Sequence, residues 1–82
     1  MDEIVSIQGP VEQRDGKLVL LIPLDAGGNV LAVFARKISE VEGQFLKVTI
    51  PDWLAAKLEL QIGCIVAVNN ANGKFNIVPV RD

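Results

Sequence analysis

The 82-residue sequence contains no histidine, no tyrosine and a single cysteine, Cys64. Histidine is the usual base that activates a serine or cysteine nucleophile, so its absence removes the common routes to nucleophilic catalysis. One thiol without an imidazole leaves only carboxylates as metal ligands, which argues against a zinc site. We therefore predict that the chain is not an enzyme and uses no metal or cofactor. Cys64 lies inside an apolar run and is expected to be a small buried side chain.

The sequence also lacks an excess of positive charge, because its eight Lys and Arg residues are outnumbered by ten Asp and Glu residues. A general nucleic-acid binder has a basic pI, whereas the pI here is about 5.0. No apolar run approaches the ~18–20 residues of a membrane helix, and no signal-like segment opens the chain. We therefore expect a cytoplasmic protein without a membrane partner, in which any nucleic-acid contact comes from a local basic patch.

Apolar residues, in contrast, are abundant: they make up 50% of the chain, and the mean hydropathy is +0.36. Residues 1–82 are expected to form a single domain. A chain of this size buries only about 60–65% of its unfolded surface, so some apolar side chains remain exposed unless another molecule buries them. A second copy is the simplest such partner, because a symmetric interface buries the same patch twice. We therefore expect a homodimer or a higher homo-oligomer.

The first half, residues 1–44, is expected to consist of β hairpins. Asp15-Gly16 between two extended runs is a strong hairpin signal, and Pro10 places the first strand at an edge or a bulge. The run Val30–Ala35 is predicted to be a strand that pairs with Leu18–Ile22, with a helix as the alternative. The other expected elements are a loop at Asp25–Asn29 and a turn, or one loose helical turn, at Ile38–Gly43.

The second half, residues 45–82, is expected to form a strand–helix–hairpin unit. Phe45–Ile50 alternates between apolar and polar residues, which is typical of a half-buried strand. Pro51 suits the first position of a helix, predicted over about residues 51–60. Strands Cys64–Val68 and Lys74–Val80 follow, joined by a turn at Asn72-Gly73. The expected fold class is mainly β, a small barrel of about six strands with one short helix.

A faint internal echo relates the two halves at an offset of 28 residues. The matching pairs are Leu18/Leu46, Ile22/Ile50 and Pro23/Pro51. Three matches among common residue types leave a duplication as one alternative and chance as the other.

The string Lys47-Val48-Thr49-Ile50-Pro51 is followed at suitable spacing by leucines and glycines: Leu54, Leu58, Leu60, Gly63 and Gly73. From Lys47 to Val80 this pattern resembles the SpoVT/AbrB swapped-hairpin family, which includes MazE-like antitoxins. The resemblance implies an obligate dimer in which two hairpins interleave into one barrel. It also implies DNA contact through a basic face on the first strand and its loop, for which the candidates are Arg36, Lys37 and Lys47.

The chain departs from the family pattern around the turn glycine, Gly63. The apolar Ile62 and Ile65 stand where polar residues are usual, Cys64 stands where the family has Asp, and Leu46 stands where it has Gly. These changes suit a face covered by protein. Ile62 and Ile65 are therefore interface candidates together with Trp53, for which a place over the core is the alternative.

Two functions follow as hypotheses. The first is a DNA-binding transcription regulator or antitoxin, whose partner is DNA or a toxin protein. The alternative is a protein-interaction or structural module that has lost DNA binding, favoured by the acidic pI and the apolar runs. A small-molecule-binding barrel has only the apolar content in its favour.

Overall fold

The computed structural model describes residues 3–80, which form seven antiparallel strands and two α-helices. The fold is mainly β, as predicted, but it contains two helices where one was expected. Short 3-10 turns lie at Leu24–Ala26 and Ala71–Gly73. The elements are β1 (Ser6–Pro10), β2 (Glu12–Arg14), β3 (Lys17–Pro23), α1 (Gly28–Phe34), β4 (Ser39–Glu42), β5 (Phe45–Thr49), α2 (Asp52–Lys57), β6 (Ile65–Asn69) and β7 (Asn76–Pro79).

The strands form two sheets, ordered β2-β3-β5-β4 and β1-β6-β7. Both sheets contribute to one core, and β1 also approaches β3. The buried core residues are Val11, Leu20, Ile22, Leu31, Leu46, Val48, Ile50, Leu60, Val66 and Val68. Strands β5 and β6, which carry the family-like motif, find partners in the N-terminal half of the same chain, in β3 and β1. Closure into a barrel and the swapped-hairpin arrangement stay predictions.

The predicted hairpin turn at Asp15-Gly16 is confirmed. Both residues have positive φ, 53° and 78°, as a two-residue turn that matches the strand twist requires. A turn is also present at Asn72-Gly73, with φ of 61° and 71°, but it lies within a longer connection, residues 70–75, that contains a 3-10 turn, so it is not a two-residue hairpin turn. Pro10 ends β1, which lies at the edge of its sheet as predicted.

The prediction that Val30–Ala35 forms a strand is wrong, because α1 occupies this segment. Strand β3 has β2 on one side and β5 on the other, so it offers no free edge for a further strand. Leu31 and Ala35, four residues apart, are both buried, which is the spacing of one helical face. The preceding segment is likewise not a simple hairpin loop, since Gly27 has a φ of 117° and leads directly into α1.

The segment Ile38–Gly43, predicted as a turn, contains β4, which pairs with β5 at the edge of the four-stranded sheet. No apolar alternation indicated a strand here, because Val41 is the one apolar residue within β4. In the structure Val41 is exposed, so β4 contributes no buried apolar face. Turns remain only at its two ends: Ile38 closes the turn after α1, and Gly43 and Gln44 join β4 to β5, with Gly43 at a φ of 62°.

The internal echo has a structural counterpart. Adding 28 to both members of the pair Glu12–Val19 in hairpin β2–β3 gives the pair Glu40–Lys47 in hairpin β4–β5. The two hairpins therefore have the same register, and they meet through the antiparallel pairing of β3 with β5. One chain thus supplies the hairpin twice, in an approximately two-fold arrangement.

Candidate functional site

Lys47 lies on β5 between two carboxylates of the neighbouring edge strand. Its Nζ is 2.6 Å from Oε1 of Glu40 and 3.6 Å from Oε2 of Glu42. The hydrogen bond to Glu40, with the charges of both carboxylates, raises the pKa of Lys47 against the opposing effect of burial. Its side chain is only 18% exposed. The ammonium is therefore neutralised within the hairpin, on a face where negative charge exceeds positive charge.

Arg36 and Lys37 lie elsewhere, in the exposed turn that follows α1. Positive side chains are favourable just beyond a helix C-terminus, because the helix dipole is negative there. The structure thus separates the three predicted DNA-contact residues into a paired lysine on β5 and two exposed cations at the end of α1.

Lys74 joins Arg36 and Lys37 at one cleft of about 460 Å³. We define the basic cleft by these three cations together with Phe34 and Phe75, which also line it. Within the described part of the chain, no carboxylate lines the cleft and none of its three cations forms an ion pair. Lys74 was not predicted from the sequence, since only the packing of hairpin β6–β7 near the end of α1 brings it to Arg36.

The three predicted interface residues are all accessible. Trp53 is 67% exposed at the start of α2, so its alternative placement over the core is not observed. Ile62 is 62% exposed in the turn before Gly63, whose N–H donates to the Val11 carbonyl over 2.8 Å. Ile65, on β6, is 42% exposed.

Ile65 belongs to an apolar surface on the outer side of the three-stranded sheet. Val66 and Val68 point into the core, so the alternate residues of β6 and their partners on β1 and β7 point outward. We call this surface the uncharged sheet face and define its apolar part as Pro10, Ile65, Ala67, Val78 and Val80. The other outward residues described are serine, glutamine and asparagine, so none of them carries a charge.

A groove of about 620 Å³ runs beside this face, between the end of α2 and the strands β6 and β7. It is lined by Ala55, Ala56, Glu59, Cys64, Ile65 and Val80, among others. Cys64 is half-buried at the groove, which corrects the expectation of a buried side chain. Its side chain packs against the core from the rim, and its carbonyl accepts from the Val11 N–H over 2.8 Å.

Pro79 makes the exposed edge of β7 unfavourable for pairing with a further strand. The Val80 N–H donates to the Ile65 carbonyl over 2.9 Å, so the adjacent pair, Val66–Pro79, is a pair without hydrogen bonds. The nitrogen of Pro79 therefore faces away from β6, toward the open edge, and it carries no hydrogen to donate. This edge is a poor template for strand addition.

Among residues 3–80, no group of three or more His, Cys, Asp or Glu side chains is placed to hold a metal ion. None of the helices in this range is long and apolar enough to cross a membrane. In comparisons with known proteins, no family model, curated protein or solved structure matched this chain. The resemblance to the SpoVT/AbrB family therefore stays a prediction that rests on the motif residues alone.

Proposed function

We propose that this chain is a non-enzymatic interaction module that works as a homodimer or higher homo-oligomer, with the uncharged sheet face as its contact surface. The observation that carries the proposal is the exposure of Ile65, Val78 and Val80 at 42%, 48% and 40% on one face. Apolar side chains grouped on an otherwise uncharged face mark an interaction site.

A second copy is the partner that this surface suits best. In a two-fold interface the same patch lies on both sides, so a charged residue near the axis would meet its own copy. The described outward residues of β1, β6 and β7 contain no charge, so two copies can meet without like-charge repulsion.

The exposed area of Ile65, Val78 and Val80 alone predicts at most a weak, millimolar affinity. Full burial of a Val or Ile side chain stabilises by about 1.5–3 kcal/mol. Burying the exposed fractions of Ile65, Val78 and Val80 on both copies then contributes about 4–8 kcal/mol. Association costs about 4–15 kcal/mol in lost rigid-body freedom, so a stable dimer has to bury further apolar surface. Ile62, which is 62% exposed, is the nearest residue along the chain that could supply it.

Packing face to face is better supported than the strand exchange that the family resemblance implies. Both β5 and β6 already have two strand neighbours within one chain, and Pro79 removes a donor from the open edge of β7. On this sheet, a second chain therefore has more to gain from the apolar face than from the edge of β7.

DNA binding and an antitoxin role, with DNA or a toxin protein as partner, have less support than self-association. Lys47, on the motif strand, is held by Glu40 and Glu42, and two carboxylates beside one ammonium repel a phosphate backbone. The test is a fluorescence anisotropy titration with random duplex DNA at low salt. Strong, salt-sensitive binding that Lys47→Gln weakens would favour the regulator over the module we propose.

Self-association is tested by sedimentation velocity over about 5 µM to about 1 mM, the range that matches binding free energies of about −7 to −4 kcal/mol. We expect the wild type to shift from monomer to dimer with concentration. Ile65→Lys should remain monomeric, because it places two ammonium groups at the interface. Val33→Lys, an equally drastic change at an exposed residue of α1, is the matched control and should behave like the wild type. A wild type that stays monomeric throughout, or equal loss in both variants, would contradict the proposal.

A further inference from the structure

We propose that the basic cleft binds the phosphate group of a nucleotide or of a nucleic-acid strand. This inference is independent of the self-association proposed above, since it concerns residues outside the three-stranded sheet's outer face. It rests on the meeting of Arg36, Lys37 and Lys74 at one concave surface, although Lys74 is distant from the other two in sequence.

The charge distribution makes this grouping unusual for the chain. The formal net charge is −2, so the rest of the chain carries −5 once the three cleft cations are set aside. Positive charge gathered in a concave site of an acidic protein raises the local concentration of anions. A phosphate group, with about −1.5 to −2 charges, matches three cations better than a carboxylate does, and an arginine can bind it in bidentate fashion.

The backbone on both sides of the cleft is held by hydrogen bonds. The Ile38 N–H donates to the Ala35 carbonyl over 3.1 Å, which closes the turn that carries Arg36 and Lys37. Opposite, the Lys74 N–H donates to the Ala71 carbonyl over 3.3 Å. The cations therefore project from two defined turns, so binding requires ordering of their side chains only.

The cleft also offers apolar surface. It is a shallow, solvent-open depression with a volume of about 460 Å³, so a ligand bound there keeps part of its surface in water. The half-buried rings of Phe34 and Phe75 line it. Aromatic rings beside cations are the combination on which bases stack while phosphates are neutralised. A nucleotide or a single strand uses both features, whereas inorganic phosphate uses the cations alone.

The test is an NMR titration of the 15N-labelled chain at low salt with three probes: inorganic phosphate, adenosine 5′-monophosphate and a single-stranded oligothymidine of about eight nucleotides. We expect saturable shifts of the amides of residues 36, 37, 74 and 75. Adenosine monophosphate binding as tightly as the oligonucleotide identifies a free nucleotide as the source of the phosphate. Tighter oligonucleotide binding with a steeper salt dependence identifies a strand.

The variant is Arg36→Gln with Lys74→Gln, and the matched control is Lys17→Gln with Lys57→Gln, which removes the same charge from two exposed lysines elsewhere. The cleft variant should weaken binding of the best probe at least about fivefold, while the control changes it less than about twofold. All four side chains are exposed, so both variants should retain the wild-type melting temperature. Equal weakening in both variants, or no saturable shift of the cleft amides with any probe, would overturn the proposal.

Discussion

Replacing Asn70 with alanine should destabilise the fold strongly, because its side chain ties the N-terminal segment to hairpin β6–β7. Asn70 is 3% exposed, and its amide makes two bonds to the backbone of that segment. Oδ1 accepts from the Val5 N–H over 2.8 Å, and Nδ2 donates to the Glu3 carbonyl over 2.7 Å. The side chain thereby satisfies a donor and an acceptor of the backbone, as a neighbouring strand would.

The magnitude follows from what each bond leaves behind. Val5 is half-buried, so its unpaired N–H costs about 1–2 kcal/mol, and the more exposed Glu3 carbonyl costs about 0.5–1 kcal/mol. The total of about 2 kcal/mol is a large part of the free energy of unfolding of a domain of this size. That free energy is about 4–12 kcal/mol, at roughly 0.05–0.15 kcal/mol per residue. It corresponds to a fall in Tm of about 8–16 °C.

Differential scanning calorimetry measures this change, and hydrogen exchange of the Val5 amide reports the lost bond directly. Asn29→Ala is the matched control, since Asn29 is exposed on α1 and its replacement should change the stability by less than about 0.5 kcal/mol. A Tm for Asn70→Ala within about 2 °C of the wild type, an effect below ~0.5 kcal/mol, would refute the reasoning.

Two further substitutions test the backbone and the ion pairs. Gly27→Ala should destabilise the fold by at least about 2 kcal/mol, because Gly27 has a φ of 117° and an added Cβ would collide with Cγ1 of Val5. Gly9→Ala is the control, since Gly9 has open space around it. Similar urea unfolding midpoints for the two variants would contradict this prediction. The raised pKa of Lys47 means that its ion pairs stabilise the fold below the ordinary lysine pKa of about 10.4, and that this contribution is lost as the pH rises through the raised value. Between about pH 9 and pH 11.5, the free energy of unfolding measured in urea should therefore fall less for Lys47→Met than for the wild type or Lys17→Met. Equal falls in all three proteins would show that the ion pairs of Lys47 do not stabilise the fold.

The second half of the fold was predictable because its local signals agree with the tertiary structure. The alternation of Phe45–Thr49 matches β5, and Gly63 turns the chain with a φ of 91°. The predicted helix is present, but Pro51 is its N-cap and it ends at Lys57, before the predicted end near residue 60, because Glu59 adopts a φ of 55°. The first half was less predictable, since Val30–Phe34 suits a strand or a helix by composition. The choice depends on β5, which occupies the edge of β3 that this segment would need.

The candidate sites depend even more on tertiary structure. The pairing of Lys47 with Glu40 and Glu42 had a signal, because two glutamates spaced by two residues lie on one face of a strand. A turn was nonetheless the prediction for Ile38–Gly43, because polar residues and a terminal glycine favour a turn. The meeting of Lys74 with Arg36 had no such signal, since it follows from how hairpin β6–β7 lies against the end of α1.

The central claim, that a second copy covers the uncharged sheet face, is tested most directly by isotope-filtered NOE spectroscopy on a mixture of labelled and unlabelled wild-type chains. The account predicts intermolecular NOEs between the methyl groups of Ile65, Val78 and Val80. Intermolecular NOEs across β3 and β5 instead, which would indicate strand exchange, or none at the highest concentration, would contradict it.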